Sequence, residues 1–514
     1  MSSPAPAAAP SGGRPSTPGR PNILLLLTDE HGAQFSGTYG HPFIRTPAMD
    51  RLAAEGVTFD AAYCNNPLCV PSRLSFMTGR HTHNCAGWDN ATPLAPDAVT
   101  WPHLLRAQGY DVALAGKMHL IGDDHLHGFQ EQLARDLHSE LEHPIFPWER
   151  EIPEAREPWL GVVRTESRVP PGPDGEEAAS VEAEAAATPP TGPGRTPEID
   201  ADDAAVEAAL AFLRRRAHGR AERPFALCVG LIAPHFPFVV PEPFFSQYFP
   251  RHADLPHLPP GHLEALPPAA QRLRRAFGFS GHTELQVRRA RAAYYGLVSY
   301  ADDKLRQLLE ALDQFGLADD TLVIHSSDHG EMLGEHGLWR KMSFYEESAR
   351  VPLQVRWPGR AVAGRRVREC VSLVDLTATV VAAAGAASAA APMDGHSLTG
   401  LLAGPDPEWQ DEAFAEHTAH GTDRPRAMLR RGNWKLCLSG GDDLESELYD
   451  LEVDPRELVN RAGDPAVVAV EERMRAALLE RWDWRRIDRE VRDSQRRRHL
   501  IRAVAATDRP RRAP

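Results

Sequence analysis

Carboxylates, histidines and a lysine follow directly after four short aliphatic segments of this sequence. In chain order these residues are Asp29 and Glu30, Lys117 and His119, His235, and Asp328 and His329. A set dominated by carboxylates suits Ca²⁺, Mg²⁺ or Mn²⁺. A divalent cation surrounded by lysine and histidine can bind an anionic tetrahedral ester and protonate its leaving group. The sequence therefore favours hydrolysis of such an ester, with Lys341 as a further cationic candidate.

Each of these residues also has a structural interpretation when it is taken alone. An aspartate after a strand often caps the next helix, and a single histidine is more often structural than catalytic. The functional interpretation becomes stronger because the polar residues recur after four separate segments.

The four aliphatic segments are predicted strands of one sheet. They cover residues 22–28, 111–115, 225–233 and 321–326. Predicted helices alternate with them, one opening at Pro47 with Thr46 as its N-cap and the others covering residues 101–108, 202–216 and 298–315. Such alternation predicts a mostly parallel sheet with helices on both faces, and ligands bind at the carboxyl ends of its strands.

Composition narrows the classes of function. The 514 residues include 71 acidic and 57 basic side chains, so the formal charge is −14, which disfavours general binding of nucleic acid or of an anionic membrane. The longest aliphatic run, Ile23–Leu27, is far shorter than the ~20 residues of a membrane helix. The six cysteines are scattered without a C-x-x-C pair, which favours a reducing, cytoplasmic setting.

Shifts in composition predict the domain organisation. Residues 1–20 read as a disordered leader and residues 21–403 as the catalytic domain, with a Pro- and Ala-rich flexible insert at 170–196. Residues 404–484 read as a smaller α+β subdomain, and 485–514 as an arginine-rich tail.

The segment Cys69-Val70-Pro71-Ser72-Arg73 is the most specific stretch of the chain. A helix is predicted to begin near Pro71, and its N-terminus together with Arg73 would favour negative charge at position 69. A thiolate nucleophile is one interpretation, although only three residues separate the cysteine from the arginine, whereas the loop of cysteine phosphatases has five. A buried structural cysteine is the other interpretation.

This segment resembles the C-x-P-S-R signature of the type I sulfatases. The remaining family pieces follow in the same order, as Asp29, residues 116–119, residues 234–235 and residues 327–331. Within the family, the chain is most similar to choline sulfatases and the related phosphonate monoester hydrolases. The stretches that resemble choline sulfatases are residues 116–119, 125–129, 337–342 and 494–498 and the pair Asp89-Asn90. The resemblance implies an alkaline-phosphatase-like α/β fold, in which a mostly parallel sheet is sandwiched by helices.

The resemblance also implies the catalytic chemistry. A formylglycine-generating enzyme would oxidise Cys69 to formylglycine, whose hydrate attacks the sulfur of a small sulfate ester. Arg73 and Lys117 would stabilise charge at position 69, and His119 would assist the diol. His235 and Lys341 would bind the sulfate and protonate the leaving oxygen, while Asn90 touches the transferred group. The implied metal ligands are Asp29, Glu30, Cys69, Asp328 and His329, with Ca²⁺ preferred over Mg²⁺ or Mn²⁺.

Several alternatives accompany this interpretation. The same scaffold could hydrolyse phosphonate monoesters or phosphodiesters, or it could be a non-catalytic binding protein. Glu30 departs from the choline enzymes, and Trp88, Trp148 and Trp159 are only candidates for an aromatic box around a quaternary ammonium. The similarity of the tail to that of choline sulfatases predicts a homo-oligomer, and a helix on the surface of a monomer is the alternative.

Overall fold

The structure is a computed structural model that describes residues 20–139, 143–145, 148, 191–219, 223–277, 279–387 and 391–507. Its strands are β1 (Asn22–Asp29), β2 (Val57–Tyr63), β3 (Asp111–Gly116), β4 (Glu131–Ala134), β5 (Gly192–Pro193), β6 (Phe225–Pro234), β7 (Val239–Val240), β8 (Thr321–Ser327), β9 (Leu353–Arg356), β10 (Arg365–Ser372), β11 (Glu412–His417), β12 (Arg426–Arg431), β13 (Trp434–Ser439) and β14 (Glu445–Asp450).

The described α-helices are α1 (Pro47–Glu55), α2 (Cys69–Thr78), α3 (Thr82–Cys85), α4 (Trp101–Ala107), α5 (Pro197–His218), α6 (Glu242–Phe245), α7 (Pro268–Phe277), α8 (Glu284–Gln314), α9 (Glu346–Ala349), α10 (Leu373–Ala383), α11 (Thr399–Ala403), α12 (Val468–Arg481) and α13 (Trp484–Thr507). The predicted leader up to residue 19, most of the predicted insert and Trp159 lie outside the described residues.

An eight-stranded sheet forms the centre of the molecule, in the order β10-β2-β9-β8-β1-β6-β3-β4. Strand β9 runs antiparallel to β2 and β8, and the other neighbours are parallel. The side chains of β1 alternate between two hydrophobic cores, because successive residues of a strand point to opposite faces. Leu24 and Leu26 pack in the core with α1, α5 and α8, whereas Leu25 and Leu27 pack in the core with α2, α4 and α10. The predicted α/β fold with helices on both faces is confirmed.

A smaller antiparallel sheet, β11-β12-β13-β14, follows near the C-terminal end of the described chain. The helices α12 and α13 cover it through a hydrophobic core that contains Leu436, Leu478 and Trp482. Lys435 of β13 joins this sheet to the rest of the molecule, since its Nζ lies 2.8 Å from Glu346 Oε1 and 2.6 Å from Glu457 Oε1. The boundaries drawn at residues 403 and 484 stay predictions.

Three local predictions were wrong. Helix α8 begins at Glu284 rather than near residue 298, because the side chains of Thr283 and Gln286 cap its start. Thr46 makes no capping bond through its side chain, and the carboxylate of Asp302 accepts the first N–H groups of α1 instead. Helix α2 begins at Cys69 rather than near Pro71, which lies in its first turn, where proline needs no hydrogen-bond partner.

The described part of the predicted tail belongs to helix α13, whose first half packs in a hydrophobic core of its own chain and which exposes Leu500, Ile501 and Val504 near its end. A homo-oligomer stays a prediction. Within the described residues, every helix is too short or too polar to cross a bilayer.

Candidate active site

Four adjacent strands deliver the predicted polar residues to one edge of the central sheet. Strands β8, β1, β6 and β3 are consecutive neighbours, and their parallel direction brings their carboxyl ends together. Asp29 ends β1, Lys117 follows β3, His235 follows β6, and Asp328 follows β8. All four side chains are buried. The fold therefore gathers residues that lie about 300 positions apart in the sequence, such as the hydrogen-bonded pair Glu30 and Asp328.

Cys69 reaches the same edge from a different direction. It is the first residue of α2, and only 2% of its surface is exposed. Its Sγ lies 3.2 Å from His329 Nε2 and 3.8 Å from Asp29 Oδ1. Together with Asp328 these residues form a group whose donor atoms all lie within 4.8 Å of one another, which is close enough to share one metal ion.

The imidazole of His329 is oriented for metal binding. Its Nδ1 lies 3.0 Å from the carbonyl oxygen of Gly330, so Nδ1 carries the proton in the neutral ring. The lone pair on Nε2 then faces Cys69 and Asp29. A second nitrogen fixed by a backbone carbonyl is the usual support of a metal-binding histidine.

A second group overlaps the first through Asp29. It contains Asp29, Glu30 and His235, with His235 Nε2 3.2 Å from Glu30 Oε2 and 3.9 Å from Asp29 Oδ1. The Nδ1 of His235 lies 2.6 Å from the carbonyl of Phe236, which again directs Nε2 into the site. Lys341 closes this side, because its Nζ lies 3.2 Å from Glu30 Oε1.

Arg73 links the carboxylates of Asp29 and Asp328 through hydrogen bonds. Its side chain is fully buried and donates to Asp328 Oδ2 at 2.8 Å, to Asp29 Oδ2 at 2.9 Å and to the carbonyl of Lys117 at 3.0 Å. Lys117 Nζ also lies 2.6 Å from Asp29 Oδ2. One guanidinium therefore fixes three of the four strand ends relative to one another.

Burial and these cations shift the pKa values of the acidic groups of the site in different directions. Although burial opposes it, the charge of Lys117, with help from His235 and Arg73, holds the pKa of Asp29 well below its usual range. Burial raises the pKa of Glu30 to about 8, against the charge of Lys341. Burial and the charge of Asp29 raise the pKa of the Cys69 thiol to about 12. Cys69 is thus a protonated thiol at neutral pH, which argues against a thiolate nucleophile.

His119 faces a cluster of histidines that the sequence analysis did not identify. Its Nε2 lies 2.9 Å from His143 Nε2, and the His138 ring lies between those of His119 and His235, with centroids 5.2 and 5.7 Å away. The buried Asp136 accepts the N–H of His119 at 2.6 Å. These three missed residues follow β4, and the short segment Asp136-Leu137-His138 was the only available signal.

Asn90 and the tryptophan candidates occupy different environments. Asn90 Oδ1 accepts the N–H of Val70 at 3.1 Å, so it lies at the start of α2 beside Cys69. Trp88 and Trp148 are buried in the hydrophobic core with Trp482. Because a cage for a quaternary ammonium needs accessible ring faces, these two tryptophans do not fit an aromatic box.

Comparison with known proteins identifies related chains. The family model described as "Sulfatase" matches residues 21–386, and the model described as "N-sulphoglucosamine sulphohydrolase, C-terminal" matches residues 334–483. The chain is 34% identical to the choline-sulfatase of Rhizobium meliloti, with 94% of this chain and 91% of that protein covered.

Two further similar proteins are a member of the alkaline phosphatase superfamily and a phosphonate monoester hydrolase. The multifunctional alkaline phosphatase superfamily protein PehA of Trinickia caryophylli is 30% identical over 88% of this chain and 93% of its own length. The crystal structure of the phosphonate monoester hydrolase of Agrobacterium radiobacter superposes with a TM-score of 0.69 at 27% identity, covering 90% of this chain and 95% of that one.

Proposed function

The chain belongs to the sulfatase family of the alkaline phosphatase superfamily and is a sulfuric ester hydrolase, and we propose that it acts through Cys69 after oxidation to formylglycine. The observation that supports this proposal most directly is the position of Cys69. Its Sγ lies beside Asp29 and His329, at the edge of the sheet where Arg73 and Lys117 supply positive charge. The raised pKa of the thiol argues against the simpler thiolate chemistry.

A hydrated formylglycine supplies one hydroxyl as a nucleophile and a second through which the product sulfate can leave. Arg73 and Lys117 would stabilise negative charge at position 69, and their ion pairs with Asp29, at 2.9 and 2.6 Å, fix both cations in place. The pair His119 and His143 can carry the proton of the second hydroxyl, since burial and mutual repulsion keep the pKa of His119 well below its usual value and leave its ring neutral.

Asp29, Asp328 and His329 of the first group, together with Glu30 of the group that shares Asp29, would hold a divalent cation that polarises the sulfate oxygens. The donor set fits such an ion because buried carboxylates dominate it, and we propose Ca²⁺, with Mg²⁺ or Mn²⁺ as alternatives. His329 is the one nitrogen donor among the four.

Lys341 is the proposed proton donor to the leaving oxygen. Burial opposes its charge, but Cys69 and Glu30 hold its pKa above the usual lysine range, so it carries a proton at neutral pH. Burial and the charge of Lys341 keep the pKa of His235 well below its usual value. Because Nδ1 donates to the Phe236 carbonyl, His235 can donate from Nε2 to a sulfate oxygen only as an imidazolium, and in that form, which a bound anion favours, it is assigned to binding the sulfate beside Lys341.

The test compares Cys69→Ala with Cys85→Ala, which replaces a cysteine that makes no contact with the carboxylates in the described structure. Cys69→Ala should abolish hydrolysis of an aryl sulfate while the fold and the bound metal are retained, and Cys85→Ala should behave as the unaltered protein. Peptide mass spectrometry should show residue 69 lighter than cysteine by the change from CH₂SH to CHO. Full activity of Cys69→Ala would refute the assignment.

Hydrolysis of phosphonate monoesters or phosphodiesters is the second candidate, and the similarity to the phosphonate monoester hydrolase of Agrobacterium radiobacter favours it. Sulfate and phosphate groups are nearly isosteric, and a sulfate monoester, a phosphonate monoester and a phosphodiester each carry one negative charge, so the site residues alone separate these substrates poorly. Matched aryl sulfate, aryl phosphonate and aryl phosphodiester substrates should be compared by kcat/KM on protein whose formylglycine content is known. A higher value for either phosphorus ester would make this the main activity.

A formylglycine-generating enzyme as maturation partner, a small-molecule sulfate ester as substrate and a cytoplasmic setting complete the proposal. Purified protein that lacks both formylglycine and metal would instead support a binding protein without catalysis.

A further inference from the structure

One face of the last helix contacts three points in chain segments that adjoin the candidate active site. Gln495, Arg498 and Arg502 of α13 lie at spacings of three and four residues, which places them on the same side of a helix. Each of them bonds to a chain segment that carries or adjoins a proposed active-site residue. The helix itself is far from these residues in sequence, with about 400 positions between Asp89 and Arg498.

The strongest of these contacts joins Arg498 to Asp89. The guanidinium donates from NH1 to Oδ1 at 2.6 Å and from NH2 to Oδ2 at 2.8 Å, and Asp89 is only 2% exposed. A bidentate pair of this kind fixes both position and orientation. The next residue, Asn90, accepts the N–H of Val70 and so lies directly beside Cys69.

The other two contacts reach the segment after β4. Arg502 donates to the carbonyl of His143 at 2.6 Å, and His143 in turn contacts His119. Gln495 accepts the N–H of Trp148 at 3.0 Å. The helix thus supports the segments on both sides of position 69, that of Asn90 and that of His143.

The first half of α13 is anchored independently of these contacts. Ile487 and Val491 are fully buried in the core beneath the small sheet. The helix therefore keeps a fixed direction, and its second half can hold Arg498 and Arg502 in place without being part of the central sheet.

We propose that α13 is a positioning element of the active site, in which Arg498 sets the position of Asn90 and Arg502 sets that of His143. This proposal rests on the proposed function, because Asn90 and His143 have their assigned roles only if the chain hydrolyses an ester at position 69. Neither arginine touches the reacting atoms, and both act through the residues that they hold.

The experiment measures kcat and KM for an aryl sulfate, and the inhibition constant of inorganic sulfate, in the full-length metal-loaded protein with known formylglycine content. Arg498→Gln should lower kcat/KM by about 10–100-fold, the usual effect of losing a supporting contact, and should weaken sulfate inhibition. Arg498→Lys should recover part of both, since it keeps the charge and loses the bidentate geometry. Arg497→Gln, on the exposed side of the same helix, is the matched control.

A second variant covers the case in which Arg498→Gln does not fold. Arg502→Gln removes a bond to a backbone carbonyl at a partly exposed position, and it should lower kcat/KM with the unfolding midpoint unchanged. The proposal is overturned if both folded variants match Arg497→Gln within twofold in kcat/KM and in sulfate inhibition. It is also overturned if only the amount of active enzyme falls, with KM and the inhibition constant unchanged, because α13 would then be purely structural.

These results separate the two proposals. A protein with verified formylglycine that hydrolyses no sulfate ester refutes the proposed function. Activity in that protein together with unaffected Arg498 and Arg502 variants refutes the role of α13 alone.

Discussion

At the scale of single residues, the site depends on a few buried charges that compensate one another. Asp29 contacts Arg73 and Lys117, and it also belongs to both groups of possible metal ligands. Burying a charge without a partner costs several kcal/mol, so each member of this network stabilises the others. The same arrangement that holds the carboxylates in place leaves positive charge for an anionic substrate.

Arg73→Lys should separate geometry from charge. Lysine keeps the positive charge but cannot donate to Asp29, Asp328 and the Lys117 carbonyl at once. We expect kcat/KM and metal affinity each to fall by about 10–100-fold. Kinetics and metal titration should be compared with Arg80→Lys, near the other end of α2, and equal values for the two variants would contradict the prediction.

Metal removal should affect both activity and stability. Burial raises the pKa of Asp328 and of Glu30, which indicates that these carboxylates are costly to ionise without a compensating charge. Dialysis against a chelator should therefore abolish activity and lower the melting temperature, and Ca²⁺ should restore both. Elemental analysis before and after dialysis is the accompanying measurement. Full activity in protein shown to be free of divalent metal would contradict the assigned ligand set.

At the scale of elements, strand direction and neighbour order explain why the polar residues converge. The alternation of strands and helices and the residues at the strand ends could be predicted from sequence, because hydrophobic runs and caps are local signals. The order β8-β1-β6-β3 could not, since no local pattern specifies which strands are neighbours. His143 was missed for a related reason, because its contact with His119 is formed by a segment without strong helix or strand periodicity.

Asp302 shows how an element boundary depends on distant residues and on pH. Its carboxylate accepts the N–H groups of Ala48 and Met49 at 3.0 and 2.9 Å, and burial raises its pKa to about 7. In the unfolded chain the carboxylate titrates near its ordinary value, so its contribution to stability is greatest below about pH 4 and is lost as the pH rises through about 7.

Asp302→Asn should remove this dependence because an amide does not titrate. The free energy of unfolding of the unaltered protein, relative to the variant, should decrease between about pH 4 and pH 7 in urea titrations. Asp319→Asn, at an exposed position, should run parallel to the unaltered protein. A constant difference between Asp302→Asn and the unaltered protein over this range would count against the raised pKa.

At the scale of the whole molecule, one buried lysine joins the small sheet to the catalytic unit. Lys435 is fully buried and contacts Glu346, Glu457 and the carbonyl of Phe344. The two carboxylates come from different segments, one at the start of α9 and the other after β14. The lysine therefore holds both parts of the chain against β13.

Lys435→Met should destabilise the protein by about 3–5 kcal/mol, because two buried carboxylates lose their common counter-charge. Urea unfolding is the measurement. Arg306→Met, which breaks surface ion pairs with Asp303 and Glu310, is the matched control and should cost less than about 1 kcal/mol. Adding Glu346→Gln and Glu457→Gln to Lys435→Met should recover part of the loss, and equal effects of the lysine and arginine variants would contradict the prediction.

The burial of α2 has a consequence for the timing of maturation. All ten residues of this helix are buried, so another protein cannot bind the peptide around Cys69 once the chain has folded. Under the proposed function, oxidation must then precede folding. A folded thiol precursor mixed with the oxidising enzyme should stay inactive, whereas the same precursor treated while denatured and then refolded should gain turnover. The yield of active enzyme would thus depend on whether Cys69 is oxidised before the newly synthesised chain folds.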